Sequence, residues 1–228
     1  MKTEYIKILK AMEKKINEGR MFFIKGNQTS AFSKEEIEDI IQNKDIEMYY
    51  YRYGTDKMQS IFCPLLGWIK DIYERLYSEF MTEEDFINEC GIYSLHKECF
   101  ISYLKTGCVL RAELVVLGEI QYEQEMFVNS VIRILKYILK FNKLILVFDG
   151  LQNSNSSIIE IFKALIEGGQ IANLSILVYY NDNYDVLEYM QNDWNKLLQL
   201  LNRKDMIIDY SNIINDEQEI IKGEVISR

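Results

Sequence analysis

The chain has 228 residues, 48% of them apolar and only one a proline, which is enough to bury a substantial core in one domain. Its 26 basic and 35 acidic side chains give a net charge of -9, which disfavours direct binding to nucleic acid or to anionic lipid. The four cysteines are scattered and there is a single histidine, so we expect neither a metal site nor a disulfide framework. The sequence shows no signal peptide and no apolar run long enough to span a membrane, which predicts a cytoplasmic protein.

The first part of the chain predicts a helix followed by a strand, a loop, a helix and a strand. Residues 3–18 carry apolar side chains at helical spacing up to Gly19, and residues 21–25 (MFFIK) indicate a short buried strand. A helix is predicted to begin at Ser33, and the aromatic run over 46–54 indicates the second strand.

The middle of the chain predicts a helical insertion. Residues 62–107 contain the only proline and three helical stretches that begin at acidic, Thr or Ser residues. Residues 109–122 fit a helix or a strand equally well.

In the last hundred residues helices alternate with continuous apolar strands. Helices are predicted over 124–140, 156–169, 184–204 and from 215, and strands over 143–149, 174–181 and 205–211. This alternation predicts a mostly parallel sheet that helices cover on both faces. We therefore expect an α/β fold, a three-layer sandwich of about five strands, in a single domain over 1–228 with the insertion at about 62–107.

The stretch GNQTSAFSK, which begins at Gly26, has the length and position of the phosphate-cradling loop G-x-x-x-x-G-K-[ST]. In that loop glycines admit backbone N–H groups to the phosphates, the lysine neutralises charge and the hydroxyl holds magnesium. Gly26 and Ser33 match the pattern, but Ala31 and Phe32 replace the second glycine and the lysine. Asp149 ends a buried strand, where an acid that supports the metal belongs.

In order and spacing these segments resemble the P-loop domains of the signal-transduction ATPases with numerous domains, an AAA-like group found ahead of helical repeats and an output domain in bacterial regulators. The resemblance covers nearly the whole chain. It assigns FIKGNQTSAFS to the Walker A loop, CPLLGWIKDIY to the proline-led helix of the insertion, LILVFDGLQ to the Walker B strand, SILVYYN to the strand that carries a polar sensor, and MIIDYSNI to the strand ahead of the next helix. It also implies a longer multidomain protein, with the output domain elsewhere.

The departures from the family pattern argue against ATP hydrolysis. Gly150 replaces the acid that orients the attacking water, and Asn181 lies near the position where many relatives carry an arginine. Because phosphoryl transfer depends on positioning and charge stabilisation, losing the lysine and this acid removes most of the catalysis. The resulting vestigial nucleotide site comprises Gly26, Ala31, Phe32, Ser33, Asp149, Gly150 and Asn181.

The sequence also predicts that the helix after the loop is closed by its own side chains. Ser33 and Glu36 form an S-x-x-E capping box, and Glu35 and Glu36 are each stabilised at a helix N-terminus by roughly 0.3–1 kcal/mol. Neither Lys25 nor Lys34 occupies the position of the loop lysine. We expect a site without nucleotide.

Three further features allow a structural and a functional interpretation. Asp149 is either a metal ligand or, as we favour, a structural group that caps the helix near Ser154. His96 and Cys99 share a helical face but lack a third, orienting residue, so we do not expect a nucleophile and base. The apolar stripe of residues 184–202 predicts core packing, although the same stripe would suit an interface with another domain or a protein partner.

The leading hypothesis is a non-catalytic pseudo-ATPase that serves as a regulatory and interaction domain, without a cofactor, in a cytoplasmic signalling or transcription-regulating protein. One alternative is a switch in which Gly26, Ser33 and Asp149 bind ATP with magnesium without efficient hydrolysis. A further alternative is a small-molecule sensor that uses the same edge of the sheet, with a pocket lined by Phe32 and Tyr180.

Overall fold

A computed structural model of the chain describes residues 2–27, 33–54, 62–108, 120–181, 183 and 186–209. The chain divides into two compact units. The sheet unit comprises Met1–Met58, Asn142–Ser156 and Gln170–Arg228, and the helical unit comprises Gln59–Phe141 and Ser157–Gly169.

The helices and strands follow one another in this order: α1 (Lys2–Lys14), β1 (Arg20–Gly26), α2 (Lys34–Ile40), β2 (Ile46–Arg52), α3 (Leu65–Leu76), α4 (Glu83–Glu89), α5 (Ser94–Thr106), α6 (Ile120–Ile138), β3 (Lys143–Asp149), α7 (Ser156–Gly168), β4 (Leu174–Asn181), α8 (Gln191–Arg203) and β5 (Ile207–Asp209). Short 3-10 turns lie at Ile16–Glu18, Leu151–Asn153 and Glu188–Met190.

Within the described ranges the sheet has five strands in the order β2-β3-β4-β1-β5, and each neighbouring pair is parallel. Every residue of β4 is buried, and so is every residue of β3 after Lys143. Burial on both faces explains why these strands are continuous apolar runs rather than alternating ones.

Helices cover both faces of the sheet. On one face, called here the α2 face, α1 and α2 pack against a core that includes Ile24, Val147 and Tyr179. On the other, the α8 face, the Trp194 ring meets the Tyr180 ring edge-on at 5.4 Å between centroids. The predicted three-layer α/β sandwich is thus confirmed, and its layers are present within the sheet unit alone.

Most predicted elements are present, including three helices inside the predicted insertion at 62–107. The helix predicted over 184–204 is wrong at its start, because Leu187 has an extended backbone and α8 begins only at Gln191. The helix predicted from 215 lies outside the described residues, as does most of the ambiguous stretch 109–122, of which the last residues begin α6.

Candidate functional site

The carboxyl edge between β1 and β4 is a topological switch point. After β1 the chain passes through α2 on one face, and after β4 it passes through α8 on the other. Parallel α/β sheets bind ligands where neighbouring strands diverge in this way. Gly26 pairs with Asn181 at this edge, and Asp149 ends β3 one strand further along.

The N-terminus of α2 is closed by the predicted capping box, which is confirmed. The Glu36 backbone N–H donates to the Ser33 hydroxyl oxygen at 3.1 Å, and the Ser33 N–H donates to the Glu36 carboxylate at 3.3 Å. The hydroxyl in the magnesium position therefore already accepts a hydrogen bond from its own helix. Ala31 and Phe32 lie outside the described residues.

Gly26 is in close contact with the ring of Tyr179. A Cβ atom at position 26 would lie 2.6 Å from both Cε2 and the hydroxyl oxygen of Tyr179, which is fully buried. A side chain there would have to displace a core ring. The need for glycine at this position thus has a packing cause that is independent of phosphate.

Tyr179 was not predicted as a site residue, whereas Tyr180 was predicted to line a pocket. Side chains alternate along a strand, so Tyr179 shares the α2 face with Asn181, whereas Tyr180 lies on the α8 face against Trp194. Counting back two positions from Asn181 would have identified the correct tyrosine.

Asp149 is fully buried and accepts a hydrogen bond from the Tyr50 hydroxyl at 3.1 Å. Burial, and then the Asp149 carboxylate, raise the pKa of Tyr50 well above its ordinary value. Glu35 adds to this rise and Arg52 opposes it. Tyr50 therefore remains a protonated donor at neutral pH, and the hydrogen bond links β3 to the edge strand β2.

Gly150 has a left-handed backbone, with φ 77° and ψ 41°. A Cβ atom there would lie 3.1 Å from the Tyr53 carbonyl oxygen. Its N–H donates to the Tyr179 carbonyl at 3.0 Å, which fixes the turn after β3. The backbone therefore disfavours an acidic side chain at this position.

Asn181 is buried and organises the loop after β4. Its side-chain oxygen accepts from the Asn183 N–H at 2.9 Å and so closes an Asx turn. The Asn181 N–H donates to the side-chain oxygen of Gln152 at 3.1 Å, and the Asn183 amide reaches Asn27 at 3.4 Å. These amides join the ends of β1 and β4 to the turn after β3.

Both lysines near the candidate loop have carboxylate partners. Lys34 lies 3.4 Å from Glu38, one turn further along α2. Lys25 lies 3.9 Å from Asp209, its register partner on β5, and strand alternation places it on the α8 face. Lys25 is therefore on the opposite side of the sheet from the capping box.

The His96 and Cys99 pair belongs to the helical unit. The Ser130 hydroxyl donates to the Met126 carbonyl at 3.0 Å, so its oxygen accepts from Nδ1–H of His96, also at 3.0 Å. Burial raises the pKa of the Cys99 thiol, which disfavours a thiolate nucleophile.

The apolar stripe of residues 184–202 is largely used for core packing. Met190, Trp194, Leu197 and Leu201 are buried, whereas Leu187 is 56% exposed.

A comparison with models of protein families finds no match, and a comparison with curated proteins also finds none. Among the described residues, no three or more His, Cys, Asp or Glu side chains are grouped so as to hold a metal ion. The helices in the described ranges also include none with the length and apolar character that crossing a bilayer requires.

The contact between Gly26 and Tyr179 predicts a coupled stability effect. Gly26→Ala should lower the free energy of unfolding by about 1–3 kcal/mol, because the added methyl must displace a buried ring. Tyr179→Leu should make room for that methyl, so the double variant should be more stable than the sum of the single losses implies. Urea denaturation of the two single variants and the double variant gives the free energies of unfolding to be compared.

The matched control is Gly54→Ala, since a Cβ atom there meets nothing within 4 Å. Strictly additive losses for Gly26→Ala and Tyr179→Leu would contradict the proposed contact.

The left-handed backbone of Gly150 predicts that restoring an acid is costly. Gly150→Glu should destabilise the chain by about 1–2 kcal/mol, because L residues are strained at positive φ. Gly150→Asn should cost less, since asparagine tolerates this conformation. Thermal unfolding compares the two variants, and equal stability of Gly150→Glu and the unaltered chain would refute the assignment.

The Tyr50–Asp149 hydrogen bond predicts an alkaline loss of stability. A phenol with a raised folded pKa contributes stability that is complete below the unfolded value near 10 and is lost as the pH rises above it. Tyr50→Phe should cost about 1–3 kcal/mol at pH 7 and should flatten the decline above about pH 10.

Urea denaturation from pH 7 to 11 tests this expectation, with Tyr189→Phe as the control because that ring is 69% exposed. An alkaline decline in Tyr50→Phe as steep as that of the unaltered chain would exclude Tyr50 as its source.

Proposed function

We propose that this chain is a non-catalytic pseudo-ATPase domain that serves a regulatory and interaction role in a cytoplasmic signalling or transcription-regulating protein. The observation that carries the proposal is the N-terminus of α2, which the Ser33–Glu36 capping box closes with a carboxylate. The proposal also rests on the resemblance of the sequence to the signal-transduction ATPases with numerous domains and on its departures from their pattern.

The electrostatics of α2 favour this proposal over an ATP-binding switch. A helix N-terminus attracts phosphate because its first N–H groups are unpaired and carry partial positive charge. In α2 the N–H groups of Ser33 and Glu36 are both hydrogen-bonded, and Glu35 and Glu36 add negative charge to the first turn. With phenylalanine in the lysine position, an incoming phosphate would meet anions without a loop cation.

The two candidate magnesium ligands are already engaged in hydrogen bonds within the protein. The Ser33 oxygen accepts from its own helix, and the Asp149 carboxylate accepts from Tyr50. A magnesium ion bridging to a nucleotide would compete with these hydrogen bonds, of which that of Ser33 is exposed and that of Asp149 is partly buried. The proposal therefore includes no metal-assisted step.

The proposed function predicts that nucleotide leaves the protein unchanged. Thermal unfolding with and without millimolar Mg-ATP should give the same Tm, whereas a ligand at a hundredfold its Kd would stabilise by about 2.7 kcal/mol. Phosphate release from ATP should equal that of the Asp149→Asn variant.

A rise of several degrees in the unaltered chain, absent from Asp149→Asn, would overturn the proposal in favour of the ATP-binding switch. A rise of equal size in both would also contradict the expectation that nucleotide leaves the protein unchanged.

A further inference from the structure

Two buried polar atoms belong to residues that lie opposite each other at the amino edge of the sheet, where its parallel strands begin. Arg20 is the first residue of β1, and its register partner on β4 is Ser175. Within the described ranges neither Nε of Arg20 nor the hydroxyl oxygen of Ser175 has a hydrogen-bond partner, although both atoms are shielded from solvent. Buried polar groups are nearly always hydrogen-bonded, so two such exceptions on paired residues call for a common explanation.

Both side chains lie on the α2 face of the sheet. Side chains alternate along a strand, so Arg20 shares the face of Ile24. By the same rule Ser175 shares the face of Leu177. On its other side Ser175 pairs with Ile145 of β3, whose side chain has no polar atom. Arg20 is therefore the polar neighbour of Ser175 in this row across the sheet.

The outer end of the Arg20 guanidinium is bound to a carboxylate. Its Nη2 donates to Glu18 at 2.8 Å, and the Lys15 ammonium lies 3.9 Å from the same carboxylate. The hydrogen bond from Arg20 lowers the pKa of Glu18, so this pair is charged at neutral pH. The Arg20 side chain is 35% exposed, whereas Ser175 is fully buried. The guanidinium thus has its charge balanced at the surface and its Nε–H directed into the protein.

We propose that one water molecule is bound between Arg20 and Ser175, where it accepts from the Arg20 Nε–H and hydrogen bonds to the Ser175 hydroxyl. Leaving two buried groups unpaired is costly, and because they do not bond to each other directly, a molecule between them satisfies both. A water fits better than an anion, since Glu18 already balances the guanidinium charge.

The bound water joins the amino ends of β1 and β4, because a water-mediated hydrogen bond is nearly as favourable as a direct one. The inference goes beyond the proposed function, since the vestigial nucleotide site lies at the carboxyl edge of the same strands.

The sign of the stability change in Ser175→Ala tests the proposal. If the hydroxyl binds a water, its removal deletes a buried hydrogen bond, and the midpoint of urea denaturation should fall. If the hydroxyl were unpaired, its removal should raise the midpoint. Ser130→Ala is the matched control, because Ser130 is also fully buried but its hydroxyl donates directly to the Met126 carbonyl. The midpoint of this control should fall.

A second variant, Arg20→Lys, keeps a cation for Glu18 but removes the Nε–H. If one water serves both residues, Ser175→Ala should lower the midpoint less in the Arg20→Lys background than in the unaltered chain. A high-resolution crystal structure should show one water peak within hydrogen-bonding distance of Nε of Arg20 and the oxygen of Ser175.

The proposal would be overturned by a raised midpoint in Ser175→Ala, by strictly additive losses in the two variants, or by a direct bond between Arg20 and Ser175 in the crystal. Soaking the crystal in bromide separates water from an anion. An anomalous bromide peak between the two residues would reject the water and assign the position to an anion.

Discussion

The ring of Tyr179 lies so close to Gly26 that any side chain at the end of β1 would overlap with it. This contact depends on the parallel pairing of β1 with β4, which places Tyr179 beside Ile24 and two positions before Asn181. The same pairing creates the switch point at which α2 and α8 lie on opposite faces. The register between β1 and β4 thus determines both where a ligand would approach the sheet and that the Tyr179 ring lies beneath that point.

The polar groups at this edge are paired internally. Asp149 accepts from Tyr50, Gln152 accepts from the Asn181 backbone, and Ser33 exchanges hydrogen bonds with Glu36. Each bond contributes modestly, but breaking one that is shielded from solvent, as those of Asp149 and Gln152 are, costs more than forming it gains. A ligand would have to compensate for these losses before it gained affinity, which is why internal pairing and loss of the loop lysine point to the same proposed function.

Apart from the fold class, the features that the sequence predicted are local ones. The apolar runs predicted β3 and β4, and the S-x-x-E spacing predicted the cap at Ser33, because each depends on residues close in the chain. The pairing of Tyr50 with Asp149 spans 99 positions and depends on strand order, which periodicity does not encode. At the start of α8 a helical spacing of apolar residues was misleading, because the extended backbone of Leu187 separates it from the helix.

The strand order also bears on how the chain is synthesised. β1 and β2 leave the ribosome before β3 and β4, yet β4 and β3 lie between them in the finished sheet. The edges of β1 and β2 that pair with β4 and β3 stay unpaired until residues beyond Lys143 have been translated, on the order of ten seconds later. During this period β1 and β2 are open to mispairing and to binding by chaperones.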